Sequence, residues 1–211
     1  MSDFDPVAVR ELSWRQVRQD EGLRSNPDLP LLDSNLRIRQ SAEAVGARLL
    51  CMHAVAAHAL GFPLEATCAW VDREGLRNSL SDTERRFLAG TDQKYVVAMQ
   101  IQVNSIYALA WCASLISDFS AYRRMPDDLV SRLPDLLKSE SSYSFRTRIV
   151  LRSREEILPQ LDAAYCYHWA WQDARSSLKR MYVIPEPIEY RRKALEWMVG
   201  GGEWDEVSLD T

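Results

Sequence analysis

Between Arg37 and Gly61 apolar side chains recur at Ile38, Ala42, Val45, Leu49, Met52, Val55 or Ala56, and Ala59. Steps of three and four draw one stripe down an α-helix. Asp33 or Ser34 can cap its start, and Gly61 followed by Pro63 ends it. Pro63 suits the first turn of a second helix, "PLEATCAWVDREGL". Ser81 and Glu84 have capping-box spacing, which predicts a short helix to Ala89 that stops at Gly90. From Thr91 onward one apolar seam runs through Val96, Met99, Val103, Ile106, Ala110 and Ala113, and a second through Leu109, Cys112 and Ile116. Apolar positions on several sides predict a buried helix over about 93–117 at the centre of the domain.

Residues 126–137 predict a shorter helix that Pro134 bends or breaks. Residues 139–148 are polar and read as a loop, and "TRIVLR" as a brief extended stretch without partner strands. Ser153 and Glu156 form a second capping-box pair, opening a helix to about Leu178 with Pro159 near its first turns. A last helix spans Pro187–Val199 and stops at "GGG". Residues 5–23 read as one helix or two short ones. The sum is an all-α, single-domain, multi-helix globule with little or no β-sheet. Residues 1–33 form an N-terminal helical or loop extension. Residues 34–211 form one all-helical domain that includes a packed C-terminal tail.

Composition narrows the class. A chain of 211 residues buries roughly 70% of its unfolded surface and needs no metal or disulfide staple. Net charge is −4, with 26 basic and 30 acidic residues interspersed, which disfavours nucleic acid as a partner. No apolar run is long enough for a membrane span, and the N-terminus has no signal-peptide pattern. Cys51, Cys68, Cys112 and Cys166 lie far apart within apolar helical patterns and read as reduced thiols of a cytoplasmic protein.

Chemistry is sparse. His53 and His58 do not share a helix face, HExxH is absent, and no metal is expected. Neither a nucleophile elbow nor a phosphate loop occurs, and no cofactor is expected. The densest unusual stretch is "DAAYCYHWAWQDAR". On a helix Asp162, Cys166, Trp169 and Asp173 form one stripe, beside a second of Leu161, Tyr165, His168, Gln172 and Arg175. They are either a pocket wall, with His168 as a proton carrier, or a knitted structural network. Asp162 and Asp173 stand about 16 Å apart along the helix and cannot act on one bond. The structural reading is favoured.

Three stretches, "LRSREEILPQLDAAYCYHWAWQDAR" (151–175), "YRRKALEW" (190–197) and "WDEVSLDT" (204–211), resemble the bacterial family known as domain of unknown function 4272. "SDTERRFL" (81–88), "NSIYALAWC" (104–112) and "RQSAEAVGARLL" (39–50) fit it more loosely. Where that family tends to have an acid before the Arg pair, this chain has Tyr190. Where it tends to follow the central Trp with Ala-Leu-Gly, this chain has Cys112, Ala113 and Ser114. The resemblance implies a mostly helical cytoplasmic protein and carries no activity. It also implies a placed tail: Trp204 buried, and Asp205 or Asp210 paired with Arg191 or Arg192. The expected function is non-enzymatic binding of another protein, of adaptor or toxin-neutralising type. The alternatives are a small-molecule-binding or hydrolase-like domain using a pocket on helix 154–178, and a structural oligomer subunit.

Overall fold

A computed structural model describes residues 4–21, 23–176 and 186–210, and among these it contains nine α-helices and no β-strand. They are α1 (Pro6–Glu21), α2 (Ala42–Ala59), α3 (Leu64–Arg73), α4 (Asp82–Leu88), α5 (Val96–Ile101), α6 (Val103–Cys112), α7 (Tyr143–Thr147), α8 (Arg154–Ser176) and α9 (Glu186–Gly200). No described helix is long and apolar enough to cross a membrane.

The apolar stripe of α2 is real, but the helix starts at Ala42, nine residues after Asp33, because Asp33 is engaged locally. Its carboxylate accepts from the Asn35 amide at 2.8 Å and its carbonyl from the Leu36 amide at 3.0 Å. Such a turn competes with helix initiation. Ser41 caps α2 instead, accepting from Ala44 N. The non-helical residues before it cover the end of α9, where Arg39 N donates to Met198 O at 2.8 Å. Val45, Leu49, Leu50, Cys51, Met52, Ala54 and Val55 are all fully buried, so α2 is enclosed on every side and lies under α5 and α6.

The expected helix over 93–117 is two helices, α5 and α6, separated by a tight turn at Gln102 and ending at Cys112. The end is a Schellman motif. Ser114 N donates to Trp111 O and Leu115 N to Ala110 O, with Ser114 left-handed at φ 55°. This is the position at which the resembled family tends to carry glycine. Residues 139–148, expected as a loop, contain α7 at Tyr143–Thr147 with Arg148 closing it in an αR turn, so only residues 149–152 of "TRIVLR" run extended across this helix end, Val150 N donating to Ala113 O and Arg152 N to Cys112 O. Residues 126–137 hold only a 3₁₀ turn at Leu129–Arg132, closed by an extended Leu133 (φ −101°, ψ 161°) before Pro134. The ring of Pro134 disfavours helix at that preceding residue.

Both capping boxes form. In the second, Glu156 N donates to Ser153 Oγ and Ser153 N to Glu156 Oε2. α8 is described to Ser176; Ser177 and Leu178 lie outside the described residues. Residues Pro6–Glu21 form one helix, which lies along α8 and adds Trp14 and Val17 to the core shared with the later helices. α8 packs on α9, and α9 on α6.

A non-glycine residue in the left-handed region costs about 1–2 kcal/mol, partly offset in glycine by its freer unfolded chain. Ser114→Gly is expected to stabilise the protein by about 0.5–1 kcal/mol in urea denaturation. A loss of stability would show that the Ser114 side chain matters more than its backbone.

Candidate functional site

The polar stripe of α8 is largely engaged within the fold. Asp162 is 1% exposed and takes a forked pair from Arg10, Nε to Oδ1 at 3.0 Å and Nη2 to Oδ1 at 2.8 Å. Arg10 also donates to Leu29 O and Pro30 O, tying α1 and the following segment to α8. The Cys166 thiol donates to Asp162 Oδ2 at 3.8 Å, and burial pushes that thiol's pKa well up. The half-buried Tyr165 ring lies under Arg10 and Arg192 at 5.7 and 4.4 Å. His168 is 2% exposed, and its Nδ1 lies 2.7 Å from Arg192 Nη1. A guanidinium can only donate, so Nδ1 accepts and Nε2 carries the hydrogen. Nε2 lies 2.9 Å from the Gln172 amide, which must present its oxygen there. Trp169 meets Trp14 edge-on at 5.8 Å. Asp162, Tyr165 and His168 are thus joined through Arg10 and Arg192. Asp173, half-buried, and Arg175, exposed beside the Trp171 ring at 5.3 Å, stand outside that network.

α9 carries three successive cations, Arg191, Arg192 and Lys193, which a helix points in directions about 100° apart. Arg191 does not hold the tail. It donates to Ser120 O and Arg123 O through Nη1 and to Asn104 Oδ1 through Nη2, 4.9 Å over the Tyr107 ring. Burial lowers its pKa to about 10. Arg192 does reach the tail, through backbone: Nη1 donates to Leu209 O at 3.2 Å and Nη2 to Asp210 O at 3.1 Å. The expected arginine–carboxylate pairs do not form. Arg191 faces away from the tail, Asp210 accepts from Ser208 Oγ, and Asp205 accepts from Thr83 N at 2.9 Å.

Gly201, at φ 70°, turns the chain back after α9, and Trp204 lands buried at 5% exposure. Its ring meets Trp197 edge-on at 5.7 Å, with Arg48 and Lys193 at 5.4 and 5.0 Å from its centre. Asp205 then adds a second cap to α4, beside the Ser81–Glu84 box. Glu84 Oε2 receives both Ser81 N and Arg48 Nη2, while Glu84 Oε1 and Arg48 Nε are buried without a partner.

Beside this cluster is a cleft of about 200 Å³. Ser81, Thr83 and Glu84 line it from α4 and its cap, Tyr95, Ala98, Met99 and Gln102 from α5 and its flanks, Tyr190 and Lys193 from α9, and Trp204 and Asp205 from the tail. Arg48 stands behind it on α2. Four of the stretches that carry the family resemblance, 39–50, 81–88, 190–197 and 204–211, therefore meet at one place. Lys193 and Arg48 are absent from the residues that sequence reasoning singles out, and Glu84 appears there only as a helix cap. The available signal was the recurrence of those four stretches together, which gives no direction to any side chain.

The Lys193 ammonium makes no hydrogen bond or ion pair among the described residues. Burial holds its pKa below the ordinary lysine value; Asp205 and Glu84 offset this in part, and Arg48 adds to it. Partial desolvation disfavours the Asp205 anion, but the Thr83 amide and hydroxyl, the Ser81 hydroxyl and Lys193 together hold its pKa below the ordinary value. A larger cleft of about 760 Å³ lies by the end of α6. Its arginines are paired with acids, Arg124 with Asp127, Arg132 with Asp128 and Arg152 with Glu156. Among the described residues no three His, Cys, Asp or Glu side chains are grouped to hold a metal ion.

A family model described as "Domain of unknown function (DUF4272)" matches residues 10–207. No curated protein and no solved structure matches the chain.

The folded pKa of Asp205 lies below its unfolded value near 3.8. Its stabilisation is therefore complete above that value and lost as pH falls through the folded pKa. Asp205→Asn keeps an acceptor for Thr83 N without the charge. In denaturation at a series of pH values, wild type should exceed the variant at pH 7 and converge with it at acid pH. A gap that persists at low pH would show that the charge is not responsible.

Proposed function

The chain belongs to the family described as Domain of unknown function (DUF4272), whose description carries no activity, and from the geometry we propose that the protein binds a small polar molecule in the cleft between α4, α5, α9 and the tail. The observation that carries this reading is Lys193. It is the one member of the α9 triad left without a polar partner among the described residues, and it stands where four family-like stretches converge. An unsatisfied, partly desolvated cation is costly unless something pairs with it. Tyr95, Tyr190 and Trp204 supply aromatic surface, and Gln102 an amide, which is the usual make-up of a small-molecule site.

The reading moves a small-molecule site away from α8, whose Asp162 and His168 are buried and already bonded. We also propose a bacterial, cytoplasmic protein, a reading that four unpaired cysteines support. A second reading, recognition of a protein partner, is supported by exposed Leu60, Leu64 and Val97. The bond from Gln100 Nε2 to Ala59 O holds α5 against the end of α2, which puts Leu60 and Val97 at the same end of the molecule.

Titration of ¹⁵N-labelled protein with mixtures of small metabolites tests the first reading, with the Trp204 indole signal assigned through Trp204→Phe. Shifts should gather on Trp204, Thr83 and Gln102. Shifts that gather elsewhere, or none with any mixture, would overturn it.

A further inference from the structure

We infer that His168 makes the hold on the C-terminal tail acid-sensitive: a proton on its Nδ1 displaces Arg192 from the position in which it binds the Leu209 and Asp210 carbonyls, and the end of the tail comes away from α9.

One lone pair carries the contact. His168 Nδ1 and Arg192 Nη1 lie 2.7 Å apart, both side chains are buried, and only the ring nitrogen can accept there. The same Nη1 donates to Leu209 O at 3.2 Å, and Nη2 donates to Asp210 O at 3.1 Å. The guanidinium position that satisfies His168 is therefore the one that fixes the end of the tail. A second proton on the ring sets N–H against N–H and cation against cation. Away from water the two cannot both keep their places. His168 is held within α8, whereas Leu209 and Asp210 belong to no helix, so Arg192 and the tail end are the parts free to move.

The other face of the ring can accommodate the charge. Nε2 lies 3.5 Å from the half-buried Glu189 carboxylate, which favours the imidazolium. The remaining charged and titratable groups around the ring, among the described residues, are engaged elsewhere or oppose the effect. On α8, Asp162 is held by Arg10 and the Cys166 thiol, the Tyr165 ring lies under Arg192, and Asp173 and Arg175 stand outside the network. In the tail, Asp210 accepts from Ser208 Oγ. On α9, Glu196 pairs with Arg192 Nε; burial raises its pKa, so its own proton favours the buried arrangement. With the tail held, His168 Nδ1 carries no proton; with Arg192 withdrawn, it takes one. Proton uptake at His168 therefore accompanies release, and falling pH favours it within about pH 5–8, where histidine changes charge. Trp204 and Asp205 stay anchored on Trp197 and Thr83, so only the end of the tail is freed.

The test follows the ¹⁵N-labelled full chain from about pH 8 to about pH 5, reading the Leu209 and Asp210 amides, the His168 ring nitrogens and the Trp204 indole. As the ring takes its proton, the two tail amides should move to the shifts and fast motion of an unstructured peptide while the indole stays in place. His168→Gln gives Arg192 an acceptor that never charges, with Glu196 untouched, and should remove the movement. Glu189→Gln leaves the Arg192 contact intact and withdraws the anion that favours the imidazolium, so the midpoint should fall by about half a pH unit or more. Glu189 is half-buried, and this second variant decides the outcome if the first fails to fold. Tail amides that stay fixed across the range, movement that persists in His168→Gln, or a midpoint unchanged in Glu189→Gln would overturn the inference.

Discussion

Three consecutive cations on α9, two buried and one half-buried, are the constraint around which the rest of the molecule is arranged. A helix turns about 100° per residue, so Arg191, Arg192 and Lys193 cannot share one neighbour. Each lies over a different aromatic ring: Tyr107 of α6, Tyr165 of α8 and Trp204 of the tail, at 4.9, 4.4 and 5.0 Å. Carboxylates are scarce here; Glu196 is paired with Arg192 at 3.2 Å, and backbone carbonyls do most of the remaining work. This explains how irregular segments hold defined positions. Ser120 and Arg123 in one loop, and Leu209 and Asp210 in the tail, are placed because their carbonyls receive guanidinium hydrogens.

The triad also separates architecture from function. The Nη groups of Arg191 and the guanidinium of Arg192 meet acceptors, although Arg191 Nε is buried without one, and removing either arginine would leave buried carbonyls without donors, which is costly. Arg10 and Asp162 follow the same pattern, a buried pair that joins α1 to α8. Lys193 differs in having a ring above it and no acceptor among the described residues. A cation without an acceptor, beside Glu84 Oε1 and Arg48 Nε that are also unpartnered, is where binding is expected, since a ligand can complete it.

Much of the helical framework was legible in the residues. The Ser81 and Ser153 caps, the stop at Gly61 and the burial of Trp204 each follow from short-range chemistry or from apolar area. The start of α2 was misplaced because Asp33 and Ser41 are equally good caps by type, and only the local turn at Asp33–Leu36 decides between them. The single helix over 93–117 was over-extended because Ser114 does not advertise a left-handed backbone as glycine does. The tail partners were half legible. Trp204 and Arg192 meet the tail as expected, but a guanidinium that donates to carbonyls leaves no trace in residue types, so the carboxylates drew attention that belonged to the backbone. Lys193 was hidden for a related reason. Its importance lies in a missing partner, and spacing along a chain does not show what a side chain lacks.

The central claim is that the tail at 203–210 is fixed to the core through Trp204 and is not an appendage. Urea unfolding of the chain ended at Gly202, compared with the full chain, measures it most directly. Loss of the buried Trp204, the Asp205 cap and the Arg192 acceptors should lower stability by about 3 kcal/mol or more. A shortened chain within about 0.5 kcal/mol of the full one, the range of an ordinary surface change, would contradict the account.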